Sequence, residues 1–237
     1  MEEKLSGIVL GGVNFGENDK ILNVFTLEKG VVSAKIKGVK KAGAKLKFAA
    51  EPFCFAEFIF SVRANMRTVI GASLIDSFYP IREDIIKYFA AGTVLEFVRR
   101  FYKENITSPE GFISTVNVLK DIAYGDGSAR RKLISYLIEE LKDTGFQLDV
   151  KGCATCEKEI EGRVFFDYRS GSFYCEKCFD GVGREVSLDT LKTLQRAESG
   201  LDSMDAFEVK ALKLLSYYIE NRAEESFNSL KELIKIL

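Results

Sequence analysis

Apolar positions in the first 80 residues come in short runs: Leu5–Val13, Asp19–Thr26, Val31–Val39, Phe53–Val62 and Met66–Ser77. They are rich in aromatic and β-branched residues, and Gly, Asn, Asp or Pro separate most of them, which is the signature of strands and turns. The third run alternates cleanly, with Val32, Ala34 and Ile36 on one side and Ser33, Lys35 and Lys37 on the other. Successive side chains of a strand point to opposite faces, so one face of this strand belongs to a core and the other is wet and cationic. Five short strands in this length predict a small closed barrel of the OB type, with an open sheet or a sandwich as the alternative.

From Ile81 the spacing becomes helical. Ala90, Val94, Phe97 and Phe101 form one apolar stripe. Ser108-Pro109-Glu110 reads as a helix start, with a hydroxyl cap, a proline in the first turn and an acid favoured by the dipole. That helix is expected to end at Tyr124, before Gly125-Asp126-Gly127. Ser128 can cap the next helix, with Leu133, Leu137 and Leu141 on one face and Gly145 as its stop. Helical spacing lapses over 150–183 and resumes at Ser187. It runs on through Phe207, Ala211, Leu214 and Tyr218, then Phe227, Leu230, Ile234 and Leu237. The expected fold class is α+β multidomain: an OB-fold barrel at 1–80, an α-helical bundle at 81–149 and 184–237, and an insert at 150–183.

The insert carries Cys153-Ala-Thr-Cys156 and Cys175-Glu-Lys-Cys178, two C-x2-C pairs with eighteen residues between them. Two residues between thiols let one tight turn offer both sulfurs to one ion, and two such turns complete a tetrahedron. Arg163–Tyr168 and Ser172–Tyr174 read as a hairpin around Ser170-Gly171 that sets the two turns side by side. The pattern predicts a zinc ribbon with Cys153, Cys156, Cys175 and Cys178 as ligands to one structural Zn2+. Zinc ranks ahead of iron on spacing and ligand type, and four sulfurs leave no open position for catalysis. Two disulfides or free thiols are the alternative, and a cytoplasmic chain argues against the disulfides. Cys54 falls in the fourth run among aromatics and reads as a core thiol.

Composition narrows the chemistry. The chain has 237 residues and no histidine, which removes imidazole acid/base catalysis, Ser-His and Cys-His nucleophiles and every imidazole metal site. No run of about 18 apolar residues exists, so no membrane helix is expected. The acidic start, MEEKLSGIVLGG, lacks a long apolar segment, so the expected compartment is the cytoplasm. Net charge is −1, unevenly spread: residues 1–80 hold eleven basic and eight acidic residues. Between Glu28 and Glu51 lie seven lysines and no acid. Of these, Lys35, Lys37, Lys40, Lys41, Lys45 and Lys47 form a strip on the third strand and the loop after it, suited to tracking phosphates without sequence preference. A solubilising edge with a mobile loop is the bland alternative. Arg130-Arg131-Lys132 opens a helix against its dipole, either as a solvated face or as an anion dock, and Glu139 and Glu140 at the far end read as solvated. No phosphate-loop, dinucleotide-binding, paired-carboxylate or zinc-deaminase pattern is present.

This order of parts resembles the RecO family of bacterial recombination mediators. The likeness runs through Phe15-Gly-Glu-Asn-Asp-Lys-Ile-Leu22, Phe25-Thr26, Gly30, Lys37-Gly-Val-Lys-Lys41 and Glu51-Pro-Phe53. It continues through Ala129-Arg-Arg131 to Leu141 and Gly145-Phe146, with the four-cysteine insert where many members carry a zinc module. Near the C-terminal helix many members have a Lys-Ser-Arg-like cluster; here the stretch is Ala223-Glu-Glu-Ser-Phe-Asn228. The resemblance implies a non-enzymatic protein that binds single- and double-stranded DNA, anneals complementary strands and partners with RecR. It also implies contact with the acidic C-terminal tail of the single-strand-binding protein SSB, help in loading RecA onto SSB-coated strands, and a place at the bacterial nucleoid. Arg130 and Arg131 are then candidates for DNA or the SSB tail. The rival readings are a protein-binding adaptor of replication or transcription, whose barrel never touches DNA, and a magnesium-dependent nuclease, for which no acidic cluster speaks.

Overall fold

In the computed structural model the five apolar runs become five strands of a closed barrel: β1 (Glu2–Phe15), β2 (Asp19–Thr26), β3 (Gly30–Ile36), β4 (Phe55–Arg63) and β5 (Met66–Asp76). Residues 1–64, 66–201 and 205–236 are described. The strand order β1-β2-β3-β5-β4 closes on itself, with β3 and β5 parallel and every other pair antiparallel. This is the OB architecture expected from the sequence. Alternation holds on β3: Val32, Ala34 and Ile36 are buried, while Ser33 and Lys35 are partly exposed. The inward residues meet Leu5, Val9, Leu22, Val24, Phe58, Phe60 and Val69, with Cys54 among them, in one core.

β1 departs from simple alternation. Its pairing with β2 slips between Val9 and Gly11, so Leu10 is an extra residue, a bulge. A bulge shifts the inward and outward phase of the strand beyond it by one residue. Leu5 and Val9 therefore point into the core, whereas Gly11, Val13 and Phe15 pair with Asn23, Ile21 and Asp19 on the outer face. Gly11 has φ +141°, a conformation L side chains rarely adopt.

Two helices come next, α1 (Ile85–Phe101) and α2 (Pro109–Tyr124). Asp84 caps α1 by accepting from the N–H groups of Ile86 and Lys87. α2 begins at Pro109 as expected, but the Ser108 side chain makes no capping hydrogen bond; proline already fills the first position, where no N–H needs a partner. Phe25 faces outward from β2 yet is fully buried, because its ring lies 4.9 Å from that of Tyr102 and 5.5 Å from that of Phe112. The Asn105 N–H donates to the Val31 carbonyl at 2.9 Å. These contacts explain why barrel and first helices form one unit, Met1–Gly125, with the second unit spanning Asp126–Leu237. The units part inside the Gly125-Asp126-Gly127 break.

The second unit holds α3 (Ala129–Asp143), α4 (Leu188–Glu198), α5 (Asp205–Tyr218) and α6 (Asn228–Lys235), with a π-helical turn over Ile219–Ala223. Ser128 and Ser187 cap α3 and α4 through their hydroxyls. Leu133, Leu137 and Leu141 are fully buried, as their spacing requires. Leu237, expected to end the last apolar stripe, lies outside the described residues. The insert is a four-stranded sheet, β6 (Asp149–Cys153), β7 (Val164–Asp167), β8 (Ser172–Cys175) and β9 (Arg184–Val186), in the order β6-β8-β7-β9. The β7–β8 hairpin turns at Ser170-Gly171 as the sequence implies. The flanking strands β6 and β9 were not expected.

Candidate nucleic-acid interface and metal centre

The acid-free segment after β3 is built from consecutive tight turns. Lys41, Ala44, Lys47 and Ala50 each donate a backbone N–H to the carbonyl three residues earlier. Val39, Ala49 and Ala50 are buried in the barrel core, and Leu46 and Phe48 pack against it. The apolar residues thus anchor the segment and turn the lysines outward: Lys37, Lys40, Lys41, Lys45 and Lys47 are all exposed. Among the described residues none of these five ammonium groups pairs with a carboxylate. Lys35 differs. Its Nζ lies 2.8 Å from Asp19 Oδ2, and its side chain is 22% exposed.

Asp19 fastens the strip to the β1–β2 turn. Its other oxygen accepts the Gly38 N–H at 2.8 Å, and the Lys40 N–H donates to the Asn18 carbonyl at 3.1 Å. Hydrogen bonding to Lys35 first, then to the Gly38 N–H, holds the Asp19 carboxyl below its ordinary pKa. The same Lys35 ammonium stands 4.4 Å from the centroid of the Phe15 ring. Arg99 of α1 lies over Gly11, where a Cβ would meet its Nη1 at 3.6 Å. Phe15 and Arg99 were not singled out from the sequence. Arg99 is distant in the chain, and only the bulge, which sequence alternation does not announce, brings Phe15 to the outer face.

Arg130 and Arg131 sit in the first turn of α3. Arg130 Nε donates to Glu208 Oε2 at 3.1 Å, and Ser128 Oγ donates to the same oxygen at 2.5 Å. The Arg130 side chain is largely covered and Glu208 fully so. The cation that opposes the helix dipole is thus held by a buried carboxylate from α5 rather than by solvent. Glu140, expected on a wet face with Glu139, is buried; Glu139 is exposed.

In the insert, Cys153, Cys156, Cys175 and Cys178 bring their sulfurs within 4.8 Å of one another. Cys156 and Cys175 are 4.0 Å apart. Zn–S bonds of about 2.3 Å put the corners of a tetrahedron about 3.8 Å apart, so the set fits one tetrahedral ion with little adjustment. The backbone forms both turns: the Glu157 N–H donates to the Cys153 carbonyl at 2.8 Å, and the Cys178 N–H to the Cys175 carbonyl at 3.0 Å. Burial raises the Cys153 thiol, but N–H groups of Cys156, Cys175 and Thr155 outweigh it and bring the thiol down to about 6. Such donors favour thiolate, the form that binds metal. The fifth cysteine, Cys54, has its thiol pushed up to about 11 by burial in the barrel core, which leaves it unreactive.

The described residues contain no helix long and apolar enough to cross a membrane. Comparison with known proteins adds a second line of information. The family described as "Recombination protein O N terminal" matches residues 1–78, and "Recombination protein O C terminal" matches residues 82–231. The chain is 28% identical to the DNA repair protein RecO of Acetivibrio thermocellus, over 99% of this chain and 96% of that protein. It is also 28% identical to the proteins of the same name from Desulforamulus reducens, covering 95% of this chain and 91% of the relative, and Bacillus subtilis, covering 76% and 70%.

Proposed function

The chain belongs to the recombination protein O family, whose place is recombinational DNA repair, and from that premise we propose that it acts as a non-enzymatic mediator that grips DNA through the lysine strip of its barrel. In this reading the chain binds single- and double-stranded DNA and anneals complementary strands. It partners with RecR, engages the acidic tail of SSB, and helps load RecA onto SSB-coated strands. One structural zinc holds the insert together through Cys153, Cys156, Cys175 and Cys178.

The observation that carries the reading is the set of exposed lysines, Lys37, Lys40, Lys41, Lys45 and Lys47, displayed without carboxylate partners on an anchored segment of an OB barrel. Ammonium groups so placed neutralise phosphates and release counterions, which gives affinity on any sequence. Lys35 serves the strip differently: bound to Asp19, it fixes the geometry from which its neighbours project. Arg130 is left out of the DNA-contacting set, because Glu208 already engages its guanidinium.

Replacing Lys37, Lys40 and Lys41 together with Glu tests the reading by fluorescence anisotropy on labelled oligonucleotides across a salt series. Affinity is expected to fall on every sequence, and the slope of log K against log salt to flatten by about 2 to 3. Unchanged affinity and slope would refute the strip as the DNA contact and favour the protein-binding adaptor.

A further inference from the structure

We infer that Phe15, turned outward by the β1 bulge, is a base-stacking platform that makes the barrel discriminate single-stranded from duplex DNA. The inference rests on the DNA-binding reading and names the strand form that the strip takes.

The residues after the bulge break the usual relation between hydrophobicity and burial. Val13 is 65% exposed and Phe15 48% exposed, on a strand whose earlier odd-numbered residues, Leu5 and Val9, fill the core. Had the strand alternated regularly through Leu10, Val13 and Phe15 would continue that inward series. Bulges recur where a strand re-aims a side chain next to a functional site. A scattered apolar residue on a surface is ordinary. Here two lie on the same side of one strand, and their pairing places cations beside them. Val13 pairs with Ile21, and Ile21 with Lys35. Phe15 pairs with Asp19, which binds both Lys35 and the Gly38 N–H at the root of the lysine loop.

Phe15 is therefore held as well as displayed. The Lys35 ammonium, 4.4 Å from the ring centroid, supports the ring while its own charge is balanced by Asp19. Exposed lysines continue from Lys37 into the loop on one side, and Arg99 lies over Gly11 further along the same strand face. An aromatic ring flanked by cations fits one ligand chemistry, a nucleobase whose neighbouring phosphates meet the ammonium groups. Every base has a π-face, so such stacking tolerates any sequence. In a duplex the bases are already stacked and paired, and the ring has no free face to receive. The lysines serve both strand forms, and Phe15 serves only one.

The chain contains no tryptophan, so Phe15→Trp introduces a unique fluorophore at the proposed contact. With a single-stranded oligothymidylate the Trp emission is expected to quench, and with an otherwise identical abasic strand or a duplex it is expected not to. In parallel, Phe15→Ala should weaken single-strand binding by about 5-fold to 100-fold while duplex affinity stays within about 2-fold of the parent. Circular dichroism checks that the exposed substitution leaves the barrel folded. If the parent binds both strand forms and Phe15→Ala changes neither, or both equally, the stacking inference falls while the lysine reading stands. If the parent binds no DNA at all, the DNA-binding reading itself fails.

Discussion

Glu3, on the core-facing side of β1 opposite Phe60, shows how far one side chain's ionisation reaches into stability. Its carboxylate is 9% exposed and accepts from Lys29 Nζ at 2.6 Å and Arg67 Nε at 3.2 Å. The hydrogen bond from Lys29 is the largest influence, and with Arg67 it outweighs burial and holds the group below its ordinary pKa. A carboxylate depressed in the folded state contributes stability that is present above the unfolded value, about 4.3, and lost as pH falls through the folded value. Glu3→Gln should therefore destabilise the protein by about 1–3 kcal/mol at pH 7. That penalty should shrink once the pH drops below about 4. Urea unfolding of both proteins across the range measures this, and an equal penalty at pH 7 and pH 3 would show that the negative charge is not the cause. Lys29 belongs to the acid-free stretch, yet Glu3 on β1 reaches it from across the barrel. Being free of acid in sequence therefore did not make Lys29 or Lys35 free in space, whereas Lys37 and the loop lysines form no ion pair among the described residues.

The insert, as an element, combines a small apolar core with its four clustered sulfurs. Its strands are three to five residues long, and its four sulfurs gather beside a small buried set that includes Val150, Ile160, Val164, Phe166 and Phe173. Metal binding in such small elements is itself folding free energy. Protein purified without chelator is expected to carry one zinc per chain by atomic absorption. Excess chelator should then speed amide exchange across Asp149–Val186 while β1–β5 keep their protection; no bound zinc, or no change in exchange, would overturn the assignment. This centre was legible from C-x2-C spacing alone, because a tetrahedron of sulfurs constrains the sequence directly. The hairpin at Ser170-Gly171 was legible too, and so were the caps at Ser128 and Ser187, all local chemistry. What stayed hidden depends on partners far along the chain. β6 and β9 are short and take their strand form from pairing with β8 and β7. The β1 bulge declares itself only in its register with β2. Ser108 had the right residue type for a cap, but Pro109 had already removed part of the need.

For the molecule as a whole, the question is whether a chain of net charge −1 meets DNA through its overall field or through one place. A molecule this close to neutral has no long-range attraction for a polyanion, and salt screens what remains beyond about 8–10 Å. Affinity must then follow the location of the charge and not its sum. Two variants separate these. Lys37→Glu with Lys40→Glu and Lys41→Glu, and Lys142→Glu with Lys192→Glu and Lys213→Glu, each move the net charge from −1 to −7. All six lysines are exposed; the first three stand on the strip and the others on helices or helix ends of the second unit. If the strip is the grip, the first variant should lose at least about 10-fold in DNA affinity at moderate salt, while the second keeps affinity within about 2-fold. Equal losses would mean that the general field governs binding, and the barrel would then hold no special claim on DNA. The comparison works because the two proteins share the same net charge, so a difference between them follows from which unit carries the reversed charges, the one with the lysine strip or the other.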